Sequence, residues 1–571
     1  MIWPFVGVAL DWWPLWLALL ILAVEVVVRI VMAGVVPGRH RPGAAMAWLL
    51  VVFFVPVVGL VLYLLIGRAW LTRRRLEAQS LINDELFAHL THPEIDAGAD
   101  HLAGAITLTT RLGALPIEGG NRLRLVSDYA ESFRWMVEAI EAAQTSIHMC
   151  WFIIGDDPRY AGPVLDALER AADRGVTVRF LYDDLGARTV PGSAALLRRL
   201  RSSGIEAHPS LPLRPIARRL SRLDLRNHRK IVVVDGREAL TGSGNLIEPH
   251  YQKDKAKQIG REWVELNVLL TGPAVRALDI VFASDWYIET GEDLALEVLA
   301  DRSPRVEPRA GIVASSGDSR VQVLPSGPGF PAENVLHLLN HLMHTARHRI
   351  VVVTPYLVPD DSFLYAVTGA ALRGVDVRVI VSERADKLVV HHAQQSFYEA
   401  LLEAGVRILR YPAPDLLHAK VVLVDDDRLV TGSPNIDMRS FSLNCEVSLF
   451  VVDPVTVASA DQVVARYARA ASELDLDSWR SRPVWERYLD NVCSPASGCC
   501  EPPAEPAGSV HDARSDILPS ERGPRSDPRR SQRTVRSQVS SASAPRMHDS
   551  VNRPPPSCQA AATTPRCRSS Q

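Results

Sequence analysis

One polar pattern is written twice in this chain, each time around a short apolar run. The first copy is His228-Arg229-Lys230, four apolar residues, Asp235, then Gly242-Ser243-Gly244-Asn245. The second is His418-Ala419-Lys420, four apolar residues, Asp425, then Gly432-Ser433-Pro434-Asn435. Lys to Asp is five positions and Asp to Asn is ten in both copies. The runs Ile231–Val234 and Val421–Val424 read as strands buried on both faces. Residues i and i+2 of a strand share a face, so His and Lys of each copy point the same way. A chain with this pattern folds into two similar strand-bearing units whose polar ends meet in one site.

The repeat extends beyond the motifs. Ser146–Ile154 reads as a strand and Val164–Asp173 as a helix, followed by Arg174-Gly175-Val176-Thr177-Val178-Arg179. Arg349–Val353 and Leu364–Leu372 repeat that order, followed by Arg373-Gly374-Val375-Asp376-Val377-Arg378. Ser203-Gly204-Ile205 and Ala404-Gly405-Val406 continue the echo. Alternating strands and helices predict an α/β class with two tandem sandwich units, 123–310 and 311–490, forming one pseudo-twofold module behind a connector at 71–122.

The first 70 residues predict a membrane hairpin. Trp12–Val36 is apolar except for Glu25 and Arg29, and Ala44–Ile66 carries no charge. Each is long enough to span a bilayer, which takes about 20 residues. Glu25 and Arg29 are four apart, share a helix face and can pair in lipid. Arg39 and Arg41 lie in the intervening turn, and Arg68, Arg73, Arg74 and Arg75 follow the second span. Counted by the positive-inside rule, the bias puts both ends in the cytoplasm. The expectation is a multi-pass membrane protein whose soluble part faces the cytoplasm. From 491 the Ser/Pro/Arg-rich tail is expected to be disordered. Arg214, Arg218, Arg219, Arg222 and Arg226, interleaved with Leu and Ile, read as a segment lying on anionic membrane.

The net charge of −2 argues against a nucleic-acid partner. Of seven cysteines, five lie from Cys493 onward, and no zinc or disulfide spacing appears before them. His391-His392 falls in a helical run and reads as structural.

A His beside a fixed cation and an Asn amide is suited to holding a phosphate. The imidazole can attack phosphorus, and a second His can move the protons. The doubled H-x-K-x4-D pattern resembles the phospholipase D superfamily. Further segments are similar to its bacterial cardiolipin synthases: Ala45-Met46-Ala47-Trp48, Trp263-Val264-Glu265, Asp285-Trp286-Tyr287-Ile288-Glu289-Thr290-Gly291, Gly327-Pro328-Gly329-Phe330-Pro331 and Thr354-Pro355-Tyr356. The resemblance runs from the first span to about Arg487, and the tail departs from it.

That resemblance implies transfer of a phosphatidyl group from one phosphatidylglycerol to another, giving cardiolipin and glycerol. It implies His228 as nucleophile and His418 as general acid, then base. Lys230, Lys420, Asn245 and Asn435 would hold the phosphate, with Ser243 and Ser433 adding hydrogen bonds. Glu265 and Glu446 would orient the histidines. Asp235 and Asp425 complete the motif and read as turn-stabilising residues. No metal or cofactor is implied, because Lys and Asn supply the charge stabilisation. Phosphatidylglycerol and anionic membrane lipids are the implied partners. The alternatives are a membrane-anchored phospholipase D that uses water as acceptor, and a nuclease built on the same histidine pair.

Overall fold

The computed structural model describes residues 15–38, 42–67, 73–88, 102–212, 225–300, 318–331 and 333–494. These belong to one compact unit, Met1–Ser509. The expected disordered tail beyond 494 lies outside the described residues, as do Arg214, Arg218, Arg219 and Arg222 of the basic segment.

The first half contributes β1 Glu118–Val126, β2 Ser146–Trp151, β3 Thr177–Asp183, β4 Glu206–Ser210, β5 Ile231–Val234, β6 Glu238–Gly242 and β7 Asn267–Thr271. The second contributes β8 Ser319–Ser326, β9 Arg349–Val353, β10 Asp376–Ser382, β11 Arg407–Tyr411, β12 Val421–Val424, β13 Arg428–Gly432 and β14 Glu446–Val452. Their order is β4-β3-β2-β5-β6-β7-β1 running on into β8-β14-β13-β12-β9-β10-β11. Adding seven to a first-half label gives its counterpart, so the halves are mirror-ordered about the antiparallel β1–β8 pair. The expected tandem units are thus fused through one continuous sheet. β1 starts at Glu118, inside the stretch expected to be connector.

The apolar runs of the motifs explain how this sheet is covered. Ile231 and Val233 enter a central core shared by both halves, whereas Val232 and Val234 enter the outer core of the first half. Val421 and Leu423 join the same central core, and Val422 and Val424 the outer core of the second half. Strands with apolar residues on both faces need helices on both. Pro273–Thr290 and Pro454–Ala470 fill the central side. Tyr129–Glu141 with Ala161–Asp173, and Asn334–Thr345 with Asp361–Leu372, cover the outer sides.

The two motif aspartates sit at the far ends of β5 and β12, with φ of 51° and 52°. Asp235 accepts the backbone N–H groups of Gln144, Thr145 and Ser146 at 2.9, 2.7 and 3.0 Å. Asp425 accepts those of Arg347, His348 and Arg349 at 3.2, 2.8 and 3.2 Å. Each carboxylate therefore fixes the start of the neighbouring strand, β2 or β9. About 16 Å of strand separates it from the motif lysine.

The N-terminal region differs from the expected hairpin. α1, Leu15–Val35, is one apolar helix of 21 residues, about 31 Å long and sufficient to cross a bilayer. The second expected span is broken into α2, Pro42–Phe54, and α3, Pro56–Ile66. Pro56 has no N–H to continue the helix, and Val55 leaves helical geometry with ψ of 74°. The two pieces fold back on each other. Trp48 and Tyr63 meet edge to face at 5.4 Å, where a straight helix would hold them about 22 Å apart. Gly59 permits this, because a Cβ there would lie 2.7 Å from the Cα of Val52. Arg29 pairs with Glu25 at 3.2 Å and also donates to the Phe53 carbonyl at 3.2 Å, at the break. The charged pair is thus neutralised internally and caps the broken helix as well.

The helix Arg73–Ala88 docks on Pro273–Thr290 through Gln79 Nε2 to Ser284 Oγ at 2.6 Å and an ion pair of Arg75 with Glu289. The connector is in this part a packed element of the first half.

Candidate active site

The strand ends bring the two motifs together. His228, Asn245, His418 and Asn435 line a single cleft of about 640 Å³. That volume falls in the range that takes a small-molecule-sized ligand.

The halves are stitched at the backbone. The His228 N–H donates to the Cys445 carbonyl at 2.8 Å, and the His418 N–H to the Val264 carbonyl at 2.8 Å. Leu416–Leu417, leading into the second motif, pairs in parallel with Trp263–Val264. Cys445 and Val264 immediately precede Glu446 and Glu265. This register delivers each glutamate to the histidine of the opposite half. His228 Nδ1 lies 2.9 Å from Glu446, and His418 Nδ1 lies 2.9 Å from Glu265. With Nδ1 committed to a carboxylate, Nε2 of each ring is the nitrogen left for chemistry.

All four side chains are buried. Burial lowers the pKa of His228, and it lowers that of His418 to about 4, with both lysines adding to the effect. Burial pushes the glutamates up, but the facing histidines and the lysines overcome it and hold both below the usual carboxylate range. At neutral pH each pair is therefore a neutral ring donating to a carboxylate. Burial also lowers Lys230 to about 7 and Lys420 to about 8. Each ammonium donates to the carbonyl of its own motif histidine at 2.6 Å. Both lysines are buried beside their motif histidines, behind the residues that line the cleft, where an anion nearby would favour their charged form.

The asparagines also reach the cleft. Asn245 Nδ2 donates to the Tyr251 hydroxyl at 2.9 Å, and the buried Oδ1 of Asn435 has no hydrogen-bond partner among the described residues. Ser243 and Ser433 are fully buried and are not among the residues that line the cleft. Ser243 Oγ donates to Glu265 at 2.6 Å and accepts from the Leu266 N–H at 2.8 Å. Ser433 Oγ accepts from the Val447 N–H at 3.0 Å. They brace the glutamates and their strands. Asp235 and Asp425 lie outside the cleft, at the strand ends described above.

Several cleft residues escaped the sequence reading. The Tyr251 hydroxyl donates to Glu265 at 2.6 Å while accepting from Asn245, so it ties an asparagine to an orienting carboxylate. Tyr356 donates to Asp386 at 2.6 Å, and Lys253 approaches the same carboxylate at 3.4 Å. None of these belongs to the repeat, and no spacing rule marks them. Arg226, read as a membrane-facing cation, is instead buried beside Asp183 at 3.5 Å and lines the cleft. Buried Arg229 bonds the Glu446 carbonyl at 2.9 Å and pairs with Asp285, clamping one half to the other.

The chain is similar to known proteins over most of its length. A family model described as "Cardiolipin synthase, PLD-like domain" matches residues 136–286 and 339–469. A second, "Phospholipase_D-nuclease N-terminal", matches 15–68. Cardiolipin synthase A of Yersinia pseudotuberculosis serotype O:1b (strain IP 31758) is 34% identical over 462 residues, covering 80% of this chain and 92% of the relative. Cardiolipin synthase A of Yersinia pestis bv. Antiqua (strain Angola) matches equally. Among solved structures, the phosphatidylserine synthase of Haemophilus influenzae Rd KW20 shares the fold, with a TM-score of 0.50 at 16% identity over 70% of this chain and 98% of that one. Because both halves of the repeat fit the family model and the curated relatives are matched over nearly their whole length, the chain belongs to the bacterial cardiolipin synthases of the phospholipase D-like family.

Proposed function

We propose that this phosphatidyltransferase makes cardiolipin and glycerol from two phosphatidylglycerol molecules by two displacements on one histidine. The crossed His–Glu pairing carries the reading: it commits both Nδ1 atoms to carboxylates and leaves the Nε2 atoms of two histidines that line one cleft. First, His228 Nε2 attacks the phosphodiester phosphorus. A P–N bond forms, the P–O bond to the headgroup glycerol breaks, and His418 gives that oxygen a proton. Then His418 takes the proton from the free hydroxyl of a second phosphatidylglycerol. That oxygen attacks phosphorus, the P–N bond breaks, and His228 is regenerated.

Lys230, Lys420, Asn245 and Asn435 hold the phosphoryl oxygens while negative charge builds on them. His418 is neutral at pH 7 in the free site. An anionic phosphodiester offsets the fields of the two lysines, which allows His418 to take up the proton it donates. Glu446 and Glu265 act as positioning residues through Nδ1.

The break between α2 and α3 supports a re-entrant membrane arrangement. α1 crosses the bilayer. α2 and α3 enter it and return to the same face, so residues 36–42 and the catalytic halves lie together on the cytoplasmic side. This replaces the topology of two full spans. The sequence between α1 and α2 carries Arg39 and Arg41, and that following α3 carries Arg68 and Arg73–Arg75. The positive-inside rule favours the cytoplasmic side for both segments.

Three outcomes are expected. Detergent-solubilised enzyme given phosphatidylglycerol alone yields cardiolipin plus glycerol, and His228→Ala abolishes both; phosphatidic acid as the only product would make the chain a hydrolase. Glu446→Gln lowers kcat by about 10²- to 10⁴-fold with little change in KM, by analogy with loss of a triad carboxylate. It also moves the acid limb of kcat/KM to lower pH, because the Glu446 charge raises the His228 pKa; an unmoved limb would mean that Glu446 is only structural. In intact spheroplasts, an impermeant maleimide labels a cysteine placed ahead of α1 and spares Gly38→Cys; labelling at Gly38 alone would restore two full spans.

A further inference from the structure

The helix α4, Leu388–Gln395, packs against the last described helix, α5, Val484–Cys493. α5 is inside out. Its carboxylate Asp490 is buried at 2% exposure, held by His392 Nδ1 at 2.8 Å and Arg482 at 3.0 Å. Its large apolar side chains face outward: Val484, Trp485, Tyr488 and Val492 are 53–78% exposed, and Leu489 is 37% exposed. At 3.6 residues per turn these five cover an arc of about 140°, and Asp490 points the opposite way. A helix that turns its polar side to its own protein and its aromatic side outward is built for a second apolar phase.

Three observations identify that phase. The apolar surface continues onto α4, where Leu388 and Val389 are 72% and 52% exposed. Val389, Val390 and Ala393 of the same helix form part of the cleft wall, so the outward face runs to the mouth of the site. Cations border it: Arg384 and Lys387 precede α4, and exposed Arg487 lies on α5. Trp and Tyr with flanking Arg and Lys match the chemistry of a bilayer interface carrying anionic headgroups.

We infer that the outward face of α5 and the start of α4 seat on an anionic lipid bilayer beside the active-site cleft, forming a second, non-spanning membrane contact that presents lipid to the site. The inference rests on the phosphatidyl-transfer reading for its purpose, but not for the contact itself. An aliphatic path from bilayer to cleft lets the acyl chains stay in an apolar environment while only the headgroup enters the polar site.

The test uses the full chain in two arms. In proteoliposomes containing phosphatidylglycerol, a photo-crosslinking benzoylphenylalanine in place of Tyr488 is expected to yield lipid adducts. Crosslinks only to a second copy, or only to the chain's own residues beyond 494, would overturn the inference. In the second arm, the Trp485→Glu/Tyr488→Glu variant is assayed on vesicles and on short-chain phosphatidylglycerol dispersed as monomers. Activity on vesicles is expected to fall on the order of tenfold or more, while activity on monomers is retained. Equal loss on both substrates, or loss on neither, would overturn the inference. If the wild type makes no cardiolipin, the functional reading fails while the crosslinking arm still decides the contact.

Discussion

Each motif histidine pairs with a glutamate from the other half of the chain. Every larger feature of the fold serves this exchange. The short parallel pairing of Leu416–Leu417 with Trp263–Val264, and the bond of the His228 N–H to the Cys445 carbonyl, bring each glutamate to the opposite ring. The fusion of two seven-stranded halves through β1 and β8 fixes the relative position of those segments. Neither half alone holds a complete His–Glu pair, so the duplication is a condition of the chemistry.

The exchange also explains why so much charge is tolerated out of water. Two lysines, two glutamates and two histidines of the motifs and their partner strands are buried close together. An isolated charge there would be costly, but here each carboxylate faces a ring N–H and lies near a lysine. The remaining unbalanced feature, two buried lysines with depressed pKa values, is what an anionic phosphodiester would offset. Ser243 and Tyr251 extend the balance outward by bracing Glu265.

Much of this was legible in the sequence because local rules govern it. The alternation of Ile231–Val234 between two cores follows from strand periodicity, as does the shared direction of His and Lys. The G-S-x-N turn was visible as a repeat, yet the role of its serine was not. Whether Ser243 meets a phosphate or a carboxylate depends on which strand lies across from it, and that is a property of the sheet order. Tyr251 and Asp386 were invisible for the same reason, and Tyr356 showed only as part of a family segment, since each reaches the cleft from a loop outside the motifs. The second apolar segment was long enough to span and was read so. The combination of Pro56 with Gly59 overrides length, because one ends the helix and the other lets the two pieces touch. Arg226 was misread because its basic neighbours implied a surface, whereas Asp183 holds it inside.

The central claim is that the two halves make one site with a division of labour between its histidines. It is tested most directly by rapid quenching of the wild-type enzyme with labelled phosphatidylglycerol, followed by peptide mapping under alkaline conditions. The account predicts an acid-labile phosphatidyl adduct on the peptide containing His228. An adduct on the His418 peptide would reverse the assigned roles, and label distributed equally between the two peptides would contradict the single-nucleophile account itself.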